Sequence, residues 1–231
     1  MKICGYNKTT LLDYPGRVAC TVFLGGCNFR CPFCQNGGLV LEPGLQPEYS
    51  QEEILAFLKK RRGILDGVCI TGGEPTISGE LPHFLEKIKD LGYAVKLDTN
   101  GTNPEMVRML VREGLIDMAA MDIKASKERY PILAGVQEPG IDRICETADY
   151  LMHGGIAYEF RTTVVRELHS EEDFQKIGEW LKGAEAYYLQ AYKDSAGVLR
   201  PGFSSYTFEE LDGFRKILQK DIRSVGIRGI D

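Results

Sequence analysis

The sequence predicts an α/β fold built on a parallel sheet. Three observations carry that prediction. Short apolar, β-branched runs alternate with helix-period stretches along nearly the whole chain; capping signals separate the two; and polar or glycine-rich residues follow one strand end after another. Arg17 to Leu24 is an apolar run that reads as a buried strand. Ser50-Gln51-Glu52-Glu53 has the form of a capping box and opens a helix whose apolar stripe is Ile54, Leu55, Phe57 and Leu58. Gly67 to Thr71 is the next strand, followed by a helix through Leu81, Phe84, Leu85, Ile88 and Leu91 that stops at Gly92. Ala94 to Thr99 is a strand, and Asn103-Pro104 caps and starts a helix ending near Gly114. Asp117 to Ile123 is a short strand, Ile141 to His153 a helix and Ile156 to Val165 a strand. Ser170 caps a helix through Phe174, Ile177, Trp180 and Leu181, and Ala186 to Tyr192 is the next strand. Thr207-Phe208-Glu209-Glu210 opens the last helix, and Ile222 to Ile227 forms a final short strand. Six main strands plus this seventh fall short of the eight in a closed barrel, so a partial barrel and an open doubly wound sheet both fit; in either, the site lies at the strand C-termini.

Composition narrows the function. The chain has 231 residues, 43% hydrophobic and 26% charged, which excludes a disordered chain, a collagen-like fibre and a coiled coil. No repeat or Pro/Ser-rich linker divides it, so residues 1–231 read as a single domain, with 193–206 a loop long enough to serve the active site. A net charge of −5 argues against a nucleic-acid surface. No apolar run reaches the roughly 18 residues of a membrane helix, and Met1-Lys2-Ile3-Cys4-Gly5 lacks the apolar core of a secretory signal. Seven cysteines in a chain expected in the cytoplasm point to ligands and bystanders rather than to disulfides.

Cys27, Cys31 and Cys34 follow the first strand at C-x3-C-x2-C spacing on a glycine-containing loop. Such thiolates suit an iron–sulfur cluster, or zinc if a remote residue supplies a fourth ligand. A four-iron cubane on three thiolates leaves one iron open to a substrate or cofactor. The following strand ends in Gly72-Gly73-Glu74-Pro75, where backbone can approach a ligand closely. Later strands end in or contain Asp98-Thr99-Asn100-Gly101, Asp122-Ile123-Lys124, Arg161-Thr162-Thr163, and Gln190 with Tyr192. Each alone reads as a solvated strand end; in this architecture those ends converge.

The cysteine motif, with Phe33 just before its last cysteine, and Gly-Gly-Glu-Pro on the next strand resemble the radical S-adenosylmethionine (SAM) superfamily. Thr9 to Gly16 (TTLLDYPG), Cys34-Gln35-Asn36, Asp98 to Gly101 and Met121 to Lys124 narrow the resemblance to glycyl-radical-enzyme activases, most similar to those of anaerobic ribonucleoside-triphosphate reductase. The resemblance covers nearly the whole chain. It implies a partial (β/α)6 TIM-like barrel of the radical SAM type. It implies that Cys27, Cys31 and Cys34 hold one [4Fe–4S] cluster and that SAM chelates its open iron. Phe33 then lies against the adenine; Gly72, Gly73 and Glu74 receive the methionyl amino group; Lys124 pairs with the carboxylate, supported by Arg161. Gln35 stands where activases commonly have His, and Asp98 lies beside the cofactor. Asp98, Thr99 and Asp122 match positions that in some activases hold a monovalent cation. The implied reaction is one-electron cleavage of SAM to a 5′-deoxyadenosyl radical, with a donor such as flavodoxin or ferredoxin, and hydrogen abstraction from a glycine of the partner enzyme.

The chain departs from the pattern at the last strand, where Tyr192 or Gln190 stands in place of a ribose-contacting His. Between Cys34 and Gly72 only Cys69 occurs, so no second cluster is expected. Cys4, Cys20, Cys69 and Cys145 read as bystanders, Trp180 as core, His83 and His153 as helix surface and His169 as exposed. The alternatives are an activase of another glycyl-radical enzyme of the pyruvate formate-lyase type, a radical SAM enzyme acting on a small molecule, and a non-enzymatic zinc protein.

Overall fold

The computed structural model describes residues 1–230; Asp231, the end of the expected domain, lies outside the described residues. Contacts divide the chain into two compact units: one of Met1–Asn28, Gly38–Thr99 and Asn103–Ala120, the other of Phe29–Gly37, Asn100–Thr102 and the chain from Met121 onward. In chain order the first unit contains β1 (Ile3–Thr10), β2 (Ala19–Leu24), most of α1 (Gly37–Leu41), α2 (Gln51–Lys60), β3 (Gly67–Gly72), α3 (Leu81–Asp90), β4 (Ala94–Thr99) and α4 (Pro104–Arg112). β5 (Met118–Asp122) begins in the first unit and ends in the second. The second continues with α5 (Tyr130–Ala134), α6 (Ile141–His153), β6 (Ala157–Val164), α7 (Glu171–Trp180), β7 (Ala186–Ala191), α8 (Phe208–Leu218) and β8 (Ser224–Arg228).

The sheet has eight strands in chain order, β1 to β8, and stays open at those two ends. β2, β3 and β4 pair in parallel, as do β6, β7 and β8, with helices in the connections, which is the winding expected of a partial barrel. The strand that the sequence conceals is β1, which runs antiparallel to β2. Its run ICGYNKTT is polar and largely exposed after its first two residues, so it carries no buried-strand signal.

The capping signals explain the helix starts. Ser50 Oγ accepts from Glu53 N at 3.1 Å and Glu53 returns the bond to Ser50 N at 2.7 Å. Asp173 caps Ser170 N at 2.9 Å, and Glu210 caps Thr207 N at 2.8 Å. In the first unit Ile54 and Leu58 of α2 and Leu81, Phe84, Leu85 and Ile88 of α3 are fully buried. In the second, α7 packs on α8 through Phe174 stacked on Phe214, ring centroids 4.6 Å apart.

Cys20 and Cys69 are core residues, and His83 and His153 are exposed. Two expectations fail. Trp180 is half-buried rather than core, its ring edge-on to Tyr130 and facing the Lys127 ammonium at 5.1 Å. His169 is buried, only 3% exposed, because its ring inserts between Phe33 and Phe174.

Candidate active site

In the first unit the end of β3 is laid backbone to backbone on the end of β2. Gly73 N donates to Leu24 O and Glu74 N to Gly26 O, both at 2.8 Å. Gly72 has φ of +118°, and a Cβ there would stand 2.3 Å from Leu24 O; on Gly73 it would stand 1.8 Å from Gly26 O. The glycine pair is thus demanded by the chain itself, and it brings the Gly72–Glu74 ribbon beside Cys27, whose Cβ is 3.3 Å from the point a Gly73 Cβ would occupy. Glu74 is buried, and its Oε1 accepts from Thr76 N at 3.0 Å, Thr76 Oγ1 at 2.5 Å and Thr99 Oγ1 at 2.8 Å. Its carboxylate therefore ties the turn after β3 to the end of β4.

Asp98 of β4 is paired with the buried ammonium of Lys96, which also lies 3.9 Å from Cys69 Sγ. The i, i+2 spacing of Lys96 and Asp98, visible in the sequence, sets both on one face of the strand.

The second unit holds Cys31, Phe33, Cys34 and Gln35. Burial pushes the Cys31 thiol up to about 11, against the opposing field of the Lys124 ammonium. Phe33 is buried, and Cys34 is half-buried with its N–H on Cys31 O at 3.0 Å. Asp122, at the end of β5, takes the Lys124 ammonium at 2.9 Å and the Arg161 guanidinium from β6. Burial works against the charged carboxylate, yet Arg161 and Lys124 together hold it well below the usual range. Burial likewise opposes the Lys124 charge, and Asp122 overrides it.

Asp122→Asn leaves these two cations without their anion. It is expected to lower stability by about 2 kcal/mol in urea unfolding. Because the folded carboxyl pKa is depressed, the contribution of Asp122 is complete above about pH 4 and fades as pH falls through its folded-state value.

The loop 193–206 lies on the cysteine segment through main-chain bonds. Gly37 N donates to Gly197 O at 2.9 Å, Leu199 N to Cys34 O at 2.9 Å and Arg200 N to Pro32 O at 2.8 Å. Gln35 Nε2 adds a bond to Lys193 O at 2.6 Å. Farther along, Ser204 O accepts from Arg166 N at 3.0 Å and the Ser204 hydroxyl bonds Glu167. Tyr192 is buried, its hydroxyl donating to Asp194 at 3.1 Å, while Gln190 is half-buried.

The structure thus gathers Cys27, Gly72, Gly73, Glu74, Asp98 and Thr99 in the first unit, and Cys31, Phe33, Cys34, Gln35, Asp122, Lys124, Arg161 and Tyr192 in the second. Both carboxylates of the proposed monovalent-cation set, Asp98 and Asp122, already carry cationic side chains. None of the seven cysteines is in a disulfide. Among the described residues no three or more His, Cys, Asp or Glu converge as they would on a single metal ion. A cubane asks for something else, one thiolate at each of three separate irons. Three cysteines outside any disulfide, with Lys124 acting on Cys31, fit that chemistry.

A family model described as the radical SAM superfamily matches residues 21–181. The chain belongs to the radical SAM superfamily. The family implies a [4Fe–4S] cluster and SAM, and makes this protein an enzyme of the radical SAM type. The radical SAM chain is 31% identical over 237 residues to a Methanocaldococcus jannaschii protein that bears the name of a glycyl-radical enzyme activating enzyme, spanning 99% of this chain and 96% of that one. In fold it is similar to Streptococcus suis SuiB bound to S-adenosylmethionine, with TM-score 0.66 and 16% identity over 91% of this chain, which spans about half (52%) of SuiB. It is also similar to a domain of pyruvate-formate lyase-activating enzyme from Bacteroides vulgatus, with TM-score 0.54, 19% identity and coverage of 69% of this chain and 98% of that one. Among the described residues of this radical SAM protein, no helix is long and apolar enough to cross a membrane.

Proposed function

We propose that this radical SAM enzyme is an activase that installs a glycyl radical on a partner enzyme, and that the partner is an anaerobic ribonucleoside-triphosphate reductase. The observation that carries the activase reading is the end-to-end match to the Methanocaldococcus jannaschii protein, 99% of one chain against 96% of the other. The TTLLDYPG, DTNG and MDIK segments support the choice of reductase.

Cys27, Cys31 and Cys34 would hold the cluster. Bound there, the cluster would supply the one-electron chemistry by which SAM is cleaved and a hydrogen atom is taken from a glycine of the partner. Lys124 and Arg161 are cations held ready by Asp122, and Lys124 is the group that pairs with the SAM carboxylate. The N–H groups of Gly73 and Glu74 are spent on Leu24 and Gly26, so this ribbon presents acceptors, which suits a donor such as the methionyl ammonium. Phe33 offers its ring to the adenine, and Gln35, Asp98 and Tyr192 complete the cofactor contacts. A monovalent ion held by Asp98, Thr99 and Asp122 would have to compete with Lys96 for Asp98 and with Lys124 and Arg161 for Asp122. The loop 193–206 is tied to the cysteine segment by main-chain bonds and would limit the access of water there. The activase acts in the cytoplasm with a flavodoxin or ferredoxin as donor.

The test is anaerobic. The reconstituted, reduced protein is incubated with SAM and each candidate reductase, and the EPR doublet of a glycyl radical is sought. A radical on the reductase is the expected result. Cleavage of SAM without a radical on any glycyl-radical enzyme would move the protein to small-molecule chemistry, and failure to take up iron would remove the radical SAM mechanism itself.

A further inference from the structure

A lysine that is to meet a small carboxylate at a fixed point must have a fixed root, because its four-carbon stem is flexible. The main chain of Lys124 is held from both sides. Its N–H donates to Tyr130 Oη at 3.2 Å, and its carbonyl lies 2.9 Å from His169 Nε2. Nε2 faces a carbonyl, which can only accept, so it carries a proton and donates to Lys124 O, while Nδ1 lies 3.1 Å from Val165 N and 3.3 Å from Val165 O.

The ring is immobilised as well. It stacks on Phe174 (centroids 5.9 Å, planes 22° apart) and meets Phe33 edge-on at 6.1 Å. Tyr206 Oη donates to His169 O at 2.6 Å and fixes the backbone behind it. Burial lowers the basicity of the imidazole. One side chain therefore touches the two residues to which the function above gives opposite ends of SAM, Lys124 for the carboxylate and Phe33 for the adenine.

We propose that His169 is a positioning residue for SAM, setting Lys124 through its carbonyl and Phe33 through its ring. This rests on the reading that Lys124 meets the SAM carboxylate, so the experiment separates the two. The reconstituted four-iron protein is titrated with SAM by equilibrium dialysis, with iron content and the urea midpoint recorded for every variant. His169→Phe keeps an aromatic ring and loses both hydrogen bonds. It is expected to retain wild-type iron and to bind SAM about tenfold more weakly. His169→Gln restores an N–H donor and is expected to recover most of that loss. If His169→Phe does not fold, His169→Met, flexible and without a donor, takes its place.

Lys124→Met decides which idea stands. It is expected to weaken SAM binding, and adding His169→Phe to it is expected to cost much less than the same change in the wild type, because the two act through one contact. If Lys124→Met leaves SAM affinity unchanged, the role of Lys124 falls and the proposal with it. If Lys124→Met weakens binding while His169→Phe does not, or the two losses add fully, the positioning role alone is overturned.

Discussion

Replacing Cys31 with alanine is expected to abolish cluster assembly and SAM cleavage together. A cubane carried on three thiolates has no spare protein ligand, so loss of one leaves two irons exposed. Iron per chain after anaerobic reconstitution should fall near zero, and the brown absorbance should vanish. Cys145→Ala is the matched control. Cys145 is a half-buried thiol on α6, outside the cysteine segment, and its removal should leave iron content and SAM cleavage within about twofold of wild type. Equal losses in the two variants would contradict the division of the seven cysteines into three ligands and four bystanders. Burial raises the Cys31 thiol to about 11, so cluster assembly is expected to be favoured by alkaline reconstitution buffers, where the deprotonated ligand is more accessible.

Gly73→Ala is expected to be the most damaging single methyl addition in the first unit. The new Cβ would lie 1.8 Å from Gly26 O, a backbone atom that cannot rotate away, so the ends of β2 and β3 must separate. The cost is about 3 kcal/mol in chemical denaturation, and displacement of the backbone at Gly26 and Cys27 should also depress iron uptake in the fraction that folds. Gly79→Ala provides the comparison, since a Cβ there meets nothing within 4 Å, and it should change stability by less than about 1 kcal/mol. A Gly73→Ala protein as stable as Gly79→Ala would mean that the two strand ends do not need to touch.

The winding of the chain was legible because its signals are local. Ser50 with Glu53, Thr207 with Glu210, and the apolar runs of β2 to β7 each act within a few residues. β1 was hidden because its pairing with β2 is written in backbone bonds rather than in a hydrophobic run. The site divides in the same way. The cysteine spacing, the glycine pair and the charged strand ends could be read directly, whereas the partners that govern them could not. Lys96 pairs with Asp98 through the two-residue period of the strand, a signal the sequence carries but one that polar strand residues share widely. His169 left no such trace. It sits one residue before a helix cap, where histidines are usually exposed, and only the approach of Phe33, Phe174 and Tyr206 encloses it. The reason for Gly72 and Gly73 was also invisible, because the atoms they make room for, Leu24 O and Gly26 O, are distant in sequence.

The ties between Gly197, Leu199 and Arg200 and the segment 32–37 run from main chain to main chain. Such bonds are indifferent to the identity of the side chains that accompany them. Ser195, Ala196 and Val198 are therefore free to diverge while the loop keeps its course, provided Gly197, whose Cβ would stand 2.7 Å from Gln35 O, is retained. The protein thus carries a stretch whose side chains evolution, or a designer, can rewrite while its main-chain ties to the segment 32–37 stay in place.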